Sequence, residues 1–207
     1  MAKRKSIYSV HPGVAMVQKW IKELPEKTGR TFEQWLDHIR RDGPGTEKEA
    51  RDWLKKQYGL GTNTAWWLAE RAHCNPMGLA EEDPDQYLQM AEIYVRDMYA
   101  GPKAGLKPIY DALLDLCFSL ASNVKACPCK TIVPLYRNHV FAQIKPTTRT
   151  RIDFGVALKD TKATGKLIDT GGFAKNDRIT HRIEITSVKD ITPEVKKWLK
   201  KAYEMDV

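Results

Sequence analysis

At 207 residues, 42% hydrophobic and with a net charge of +8, the chain can bury one large or two small cores, and no stretch of it is apolar for long enough to span a bilayer. The basic start, MAKRKSIYSVHPGVAMV, leads into no apolar run of signal-peptide length, and four cysteines of which only Cys127 and Cys129 lie close together do not make the disulfide framework of a secreted domain. A cytoplasmic protein with reduced thiols is expected.

The first 72 residues predict four short helices. Val14, Val17, Ile21 and Leu24 recur at helical spacing, and so do Phe32, Trp35, Leu36 and Ile39. TFEQ and TEKE set Thr31 before Gln34 and Thr46 before Glu49, the spacing at which a hydroxyl and an N3 side chain satisfy each other's backbone N–H groups. A third helix carries Ala50, Trp53 and Leu54, and GLG at 59–61 turns the chain into a fourth, TNTAWWLAERA. Five of the six tryptophans fall here, as a small core that needs large side chains would require. The turn before Thr62, Asn63 and Thr64 has a helix-turn-helix form. The exposed remainder of that helix offers only Glu70 and Arg71, however, and an acid beside a duplex is unfavourable, so packing or partner docking is the expectation.

HCNPMGLAEEDP, residues 73–84, has the composition of a linker and separates a helical bundle domain, 1–74, from an α+β domain, 80–207. Asp83 and Pro84 then cap and open a helix, and another runs from about 105 to 121 through Leu106, Ile109, Leu113, Leu116 and Leu120. Beyond it the period changes from helical to two. Strands are predicted at about 131–136, 139–145, 150–158, 166–169 and 178–185, with a closing helix from Thr192. The fold class that follows is α+β: a small N-terminal helical bundle, then an antiparallel β-sheet packed on helices. Ile152, Phe154, Val156 and Leu158 face one way, as do Ile179, His181, Ile183 and Ile185.

Charge is uneven along the chain. Residues 123–182 hold 12 basic and 4 acidic side chains, against 3 and 8 in residues 73–122. The polar strand face should carry Phe141, Gln143 and Lys145, then Arg151 and Asp153, then Arg178, Thr180 and Arg182. Lys145, Arg149, Arg151, Arg178 and Arg182 are therefore the candidate ligand-binding cations, with an exposed Phe141 able to stack on an unpaired base.

Cys127-Pro-Cys129 could be half of a metal or redox site, yet no second close pair completes it, so two small thiols leading into a strand are the expectation and no metal or cofactor is assigned. KLIDTGGF, 166–173, resembles the aspartic-protease signature, but the apolar segment that braces the loop in that family is missing. A strand running into a turn made by Gly171 and Gly172 is expected instead. There is no phosphate-binding loop, no His-Glu-x-x-His and no serine elbow, so no catalytic residue is assigned. His181, alternating with isoleucines, reads as a satisfied core or edge side chain, and His139, at the YRNHV turn, as a solvated one.

HPGVAMVQKWI, GLGTNTAWWLAERA, CPCKTIVPLYRNHVFAQIKP, TRTRIDFG and LIDTGGFAKNDRITHRI together resemble a family of uncharacterised bacterial two-domain proteins, over nearly the whole chain. The second half is also similar to an α+β domain labelled "predicted transport protein" and to iron-chaperone-like domains; the resemblance implies the fold and no particular chemistry. The expected function is a binding protein that recognises a phosphate-rich or anionic ligand, nucleic acid first, on the basic sheet face. The alternatives are docking of an acidic protein, or a carrier or enzyme, either for an anionic small molecule in a pocket beside Gly171 and Gly172 or for a metal. No membrane partner is expected.

Overall fold

A computed structural model describes residues 6–74 and 82–207. These divide into two compact units, Val10–Tyr87, and Leu88–Val207 together with the described residues ahead of Val10. The linker expected around 73–84 falls mostly at 75–81, outside the described residues.

In the first unit the helices are α1 (Pro12–Thr28), α2 (Phe32–Asp42), α3 (Glu47–Tyr58) and α4 (Thr62–His73). Thr31 and Gln34 complete the predicted capping box. Thr46 Oγ1 accepts from the Glu49 N–H at 3.3 Å but gives its own proton to the Glu49 carboxylate at 2.7 Å, so only half of the second box forms. Pro25 sits inside α1, where it removes a donor but not the last turn: the helix runs three residues further and Gly29 N–H closes it on Pro25 C=O at 2.8 Å. The core is aromatic, with Phe32 stacked on Trp67 at 4.9 Å and Trp20 edge-on to Trp67 at 5.9 Å. Arg71, expected on the exposed side of α4, is buried and ion-paired to Glu82 at 3.0 Å.

Asp83 caps α5 (Pro84–Met98) by accepting from Gln86 N–H at 2.8 Å. A tight 3₁₀ segment, Gly101–Leu106, leads into α6 (Lys107–Phe118). Six antiparallel strands among the described residues follow the order β1-β2-β3-β4-β6-β5, where β1 is Lys125–Ala126, β2 Val133–Tyr136, β3 Val140–Pro146, β4 Ile152–Val156, β5 Ile168–Asp169 and β6 His181–Ile185. α7 (Pro193–Glu204) packs on β3 and β4. The fold is therefore α+β. No helix among the described residues is long and apolar enough to cross a membrane.

The apolar face follows the predicted alternation. Ile144 pairs with Phe154 and Phe154 with Ile183, all fully buried, each contributing roughly 1.5–3 kcal/mol of transfer free energy. Ile179 departs from it. β6 begins only at His181, and Ile179 lies on the opposite face over Gly155, where an added Cβ would meet Ile179 Cγ2 at 2.7 Å. The chain ahead of Val10 belongs to this unit: Ser9 N–H donates to Ala126 C=O at 2.9 Å, and the Tyr8 and Tyr110 hydroxyls meet at 3.0 Å.

Candidate functional site

The polar sheet face carries Gln143, Lys145, Asp153 and Arg182 as expected, but it is not open. Register sets Gln143 opposite Gly155, Lys145 opposite Asp153, Gly155 opposite Arg182 and Asp153 opposite Glu184. Asp153 and Glu184 are thus neighbours, and two arginines close around them. Arg151 meets Asp153 and Glu184 at 2.9 Å each, while Arg182 meets Asp153 at 2.9 Å and Glu184 at 3.1 Å. Two positive and two negative groups cancel, and a phosphate would have to displace carboxylates already in place.

Phe141 corrects the sequence expectation outright. Leu135 pairs with Ala142 and Tyr136 with Val140, so Phe141 is the extra residue of a β-bulge. The bulge breaks the alternation, and the ring is fully buried, edge-on to Tyr203 of α7 at 5.5 Å. It is not available to stack on a base. Lys145 and Arg149 are exposed, Arg149 in the β3–β4 connection. Arg178 lies elsewhere, and with it a different site.

That site begins at the turn after β5. The Asp169 carboxylate accepts from Gly171 N–H at 2.7 Å, and Gly171 takes a φ of +70°. Gly172 C=O then accepts from Lys175 N–H at 3.0 Å and Asp177 N–H at 2.8 Å. A Cβ at Gly172 would come within 2.6 Å of Ile179 C=O, so the close approach of loop and strand requires glycine there. Asp169 is a turn-forming group, and the protease-like signature is a strand-to-turn junction as expected, although only Gly171 takes positive φ, Gly172 lying at −64°. The glycines shape the loop rather than line a pocket: Phe173 and residues 176–178 do that.

A cleft of about 310 Å³ opens between this loop and the end of α7. Ala157 and Thr180 contribute to it from just after β4 and just before β6, Phe173, Asn176 and Arg178 from the loop, and Ala202, Met205 and Asp206 from α7 and the residues after it. Lys159 and Asp177 complete the wall. The Phe173 ring is 53% exposed, an apolar surface beside two cations.

Asp206, 2% exposed, holds the cleft together. Its Oδ2 accepts from the backbone N–H groups of Asn138 and His139, both at 2.9 Å. Its Oδ1 accepts from His139 Nδ1 at 3.0 Å and pairs with the Arg178 guanidinium. Arg178 Nε also donates to Val140 C=O at 3.0 Å. Burial raises the Asp206 pKa, but the His139 and Asn138 donors and the Arg178 charge outweigh it and hold the carboxyl below its ordinary value. Because a carboxylate oxygen can only accept, neutral His139 carries its proton on Nδ1 and leaves Nε2 as the acceptor. His139 is exposed, as its turn predicts, yet it is fixed rather than merely solvated.

The remaining candidates read as structure. Cys127 is buried, its N–H on Pro134 C=O at 3.1 Å, and burial pushes its thiol up to about 12. Cys129 N–H donates to Ile132 C=O at 2.8 Å, so the pair forms the lead into β2. Among the described residues no three His, Cys, Asp or Glu side chains are grouped to hold a metal ion. His181 is buried, with Nε2 donating to Thr161 C=O and Nδ1 accepting from the Thr180 hydroxyl, both at 2.8 Å. In the first unit His38 has Asp42 on Nδ1 at 2.8 Å and the Tyr58 hydroxyl on Nε2 at 2.5 Å, so both ring nitrogens are taken up in tying α2 to the end of α3.

Residues 95–206 match the family model described as Domain of unknown function (DUF5655), and residues 16–72 match Domain of unknown function (DUF4287). No curated protein and no solved structure matches the chain. Every residue that lines the cleft lies within the longer match.

Proposed function

Since the chain belongs to the DUF5655 family, whose model takes in the whole cleft, we propose that the α+β unit binds an anionic ligand with a flat apolar portion there. The observation that carries this reading is backbone conformation. Among the described residues two that are not glycine have positive φ, Lys159 at 53° and Asn176 at 59°, and both line the cleft. Asparagine tolerates that region; lysine does so at a cost of about 1 kcal/mol or more, and such residues gather where a side chain must be aimed. Lys159 supplies a positive charge with no ion pair among the described residues, Arg178 a guanidinium fixed on Asp206 that still has N–H groups to donate, Asn176 an amide, and Phe173 a ring face for an aromatic or sugar ring, beside the one further acid, Asp177.

This reading moves the anion from the sheet face to the cleft. Arg151 and Arg182 are already neutralised by Asp153 and Glu184, which leaves the open face a weak site for nucleic acid. A thermal-shift and NMR screen with phenyl phosphate, benzoate, a nucleoside monophosphate and sulfate tests the proposal. At least one ring-bearing anion is expected to raise the melting temperature and to move the amides of 157–159 and 173–178, and both effects should fall away in Lys159→Ala and Arg178→Ala. Perturbations confined to 143–153 and 182–184, or none at all, would overturn it.

A further inference from the structure

Two cations and two acids line the cleft, and only one of each is spent on the other: Asp206 pairs with Arg178 and takes the Asn138 and His139 donors as well. Lys159 and Asp177 are left. Among the described residues no ion pair joins these two, and neither is paired with any other side chain. The cleft is thus neutral as a whole and charged at two separate points.

Both charges leave from fixed backbone. A φ of 53° is unfavourable for lysine and persists where the surrounding chain imposes it. Just before Lys159, Leu158 N–H donates to the Thr180 hydroxyl at 3.0 Å, and just after it Thr161 N–H donates to Leu158 C=O at 3.1 Å. Asp177 follows Asn176, the other left-handed residue, and its N–H is tied to Gly172 C=O at 2.8 Å. The two side chains themselves are exposed. We infer that the ligand carries both signs too, a carboxylate for Lys159 and a protonated amine for Asp177, with its ring on Phe173: an aromatic α-amino acid. The inference rests on the cleft reading above, keeps its anionic group and its ring, and adds the amine.

Electrostatic complementarity selects such a molecule. A simple anion satisfies Lys159 but is repelled by Asp177, a simple cation meets the reverse, and a dianion leaves a surplus charge beside the acid, whereas an amino acid offers each group its counterpart. Arg178 uses Nε on Val140 C=O and one amino nitrogen on Asp206, which leaves the N–H groups of its other amino nitrogen as further donors for the carboxylate. Phe173 and Met205 supply the contacts that a flat ring takes, offset stacking on the one and the thioether of the other. The cleft, about 310 Å³, lies at the small end of ligand sites, which run from roughly 300 to 1,000 Å³, and suits one amino acid rather than a polymer.

The experiment compares L-phenylalanine with 3-phenylpropionate, which lacks the amine, and with phenethylamine, which lacks the carboxylate, by NMR and calorimetric titration of the full-length protein. L-Phenylalanine is expected to move the amides of 157–159 and 173–178 and to bind roughly tenfold or more tighter than either analogue, the loss of one charge-assisted hydrogen bond. The unaltered protein alone decides this, so the outcome does not depend on the stability of a variant. Asp177→Asn should then abolish the preference for phenylalanine over 3-phenylpropionate, and Lys159→Asn, which suits the left-handed backbone, the preference over phenethylamine. Equal binding of phenylalanine and 3-phenylpropionate at these amides would overturn the amine and leave the cleft reading standing. Phenethylamine binding as tightly as phenylalanine, or no movement of these amides with any of the three or with the ring-bearing anions named above, would overturn both.

Discussion

Arg182 on β6 reaches across the sheet to Asp153 on β4 at 2.9 Å, and through this pair a surface rich in arginine becomes electrically quiet. Arg151 and Glu184 complete the ring. The ring has a testable consequence: removing its acids should uncover what its arginines can do. Glu184→Gln combined with Asp153→Asn is expected to create oligonucleotide binding with a salt slope of roughly two released counterions, where the unaltered chain binds little. Equal, salt-sensitive binding by both proteins, measured by fluorescence anisotropy, would return the nucleic-acid site to the sheet.

Asp206 makes stability depend on acid. Its carboxyl is held below the ordinary value in the folded protein, so it contributes stability above the unfolded carboxylate pKa, and that contribution is lost as pH falls toward the lowered folded value. Asp206→Asn should cost about 1–3 kcal/mol near neutrality and flatten the loss of stability below about pH 4. Urea unfolding at a series of pH values checks both.

Gly155 and Gly172 are packing glycines. An added methyl group would meet Ile179 Cγ2 at 2.7 Å in one case and the rigid Ile179 C=O at 2.6 Å in the other. Gly172→Ala should therefore be the more damaging, about 2–3 kcal/mol, since backbone cannot step aside, whereas Gly155→Ala meets side-chain atoms of Ile179 and Gln143 that can shift. Equal effects in chemical denaturation would count against this ordering.

The described residues ahead of Val10 should matter to the sheet-bearing unit. Tyr8 is buried against Tyr110, and burial raises the pKa of both phenols. We expect a fragment covering 88–207 to be less stable by about 1–3 kcal/mol than one to which residues 1–9 are restored as an added peptide or fusion. A helical fragment covering 10–87 should fold by itself, with cooperative melting by circular dichroism. Limited proteolysis that yields no stable fragment from either part would contradict the separation.

Much of this could be read from residue order. The caps at Thr31 and Asp83, the burial of Phe154 and Ile183 on one face, and the turn after Asp169 all follow from local spacing. Phe141 could not be placed, because a single-residue bulge turns one side chain and leaves the apolar pattern around it intact. β1, two residues long, leaves no periodicity to detect. The ion ring had a signal: Arg151-Ile152-Asp153 and Arg182-Ile183-Glu184 each set an acid two residues from an arginine, hence on the same strand face. Counting charge by window conceals that. The cleft had none, since Asp206 meets His139 across 67 positions and Arg178 across 28.

Those separations also bear on the order of assembly. Asp206 gathers the β2–β3 turn and the loop before β6 onto the end of α7, so the cleft has no walls until that helix has docked on the sheet. Closing such distant contacts is a late event in folding, and the last turn of a helix is where native structures first fray. The cleft is thus built from the part of the unit that forms last and opens first, and anything that filled it would act as a latch on the whole C-terminal helix.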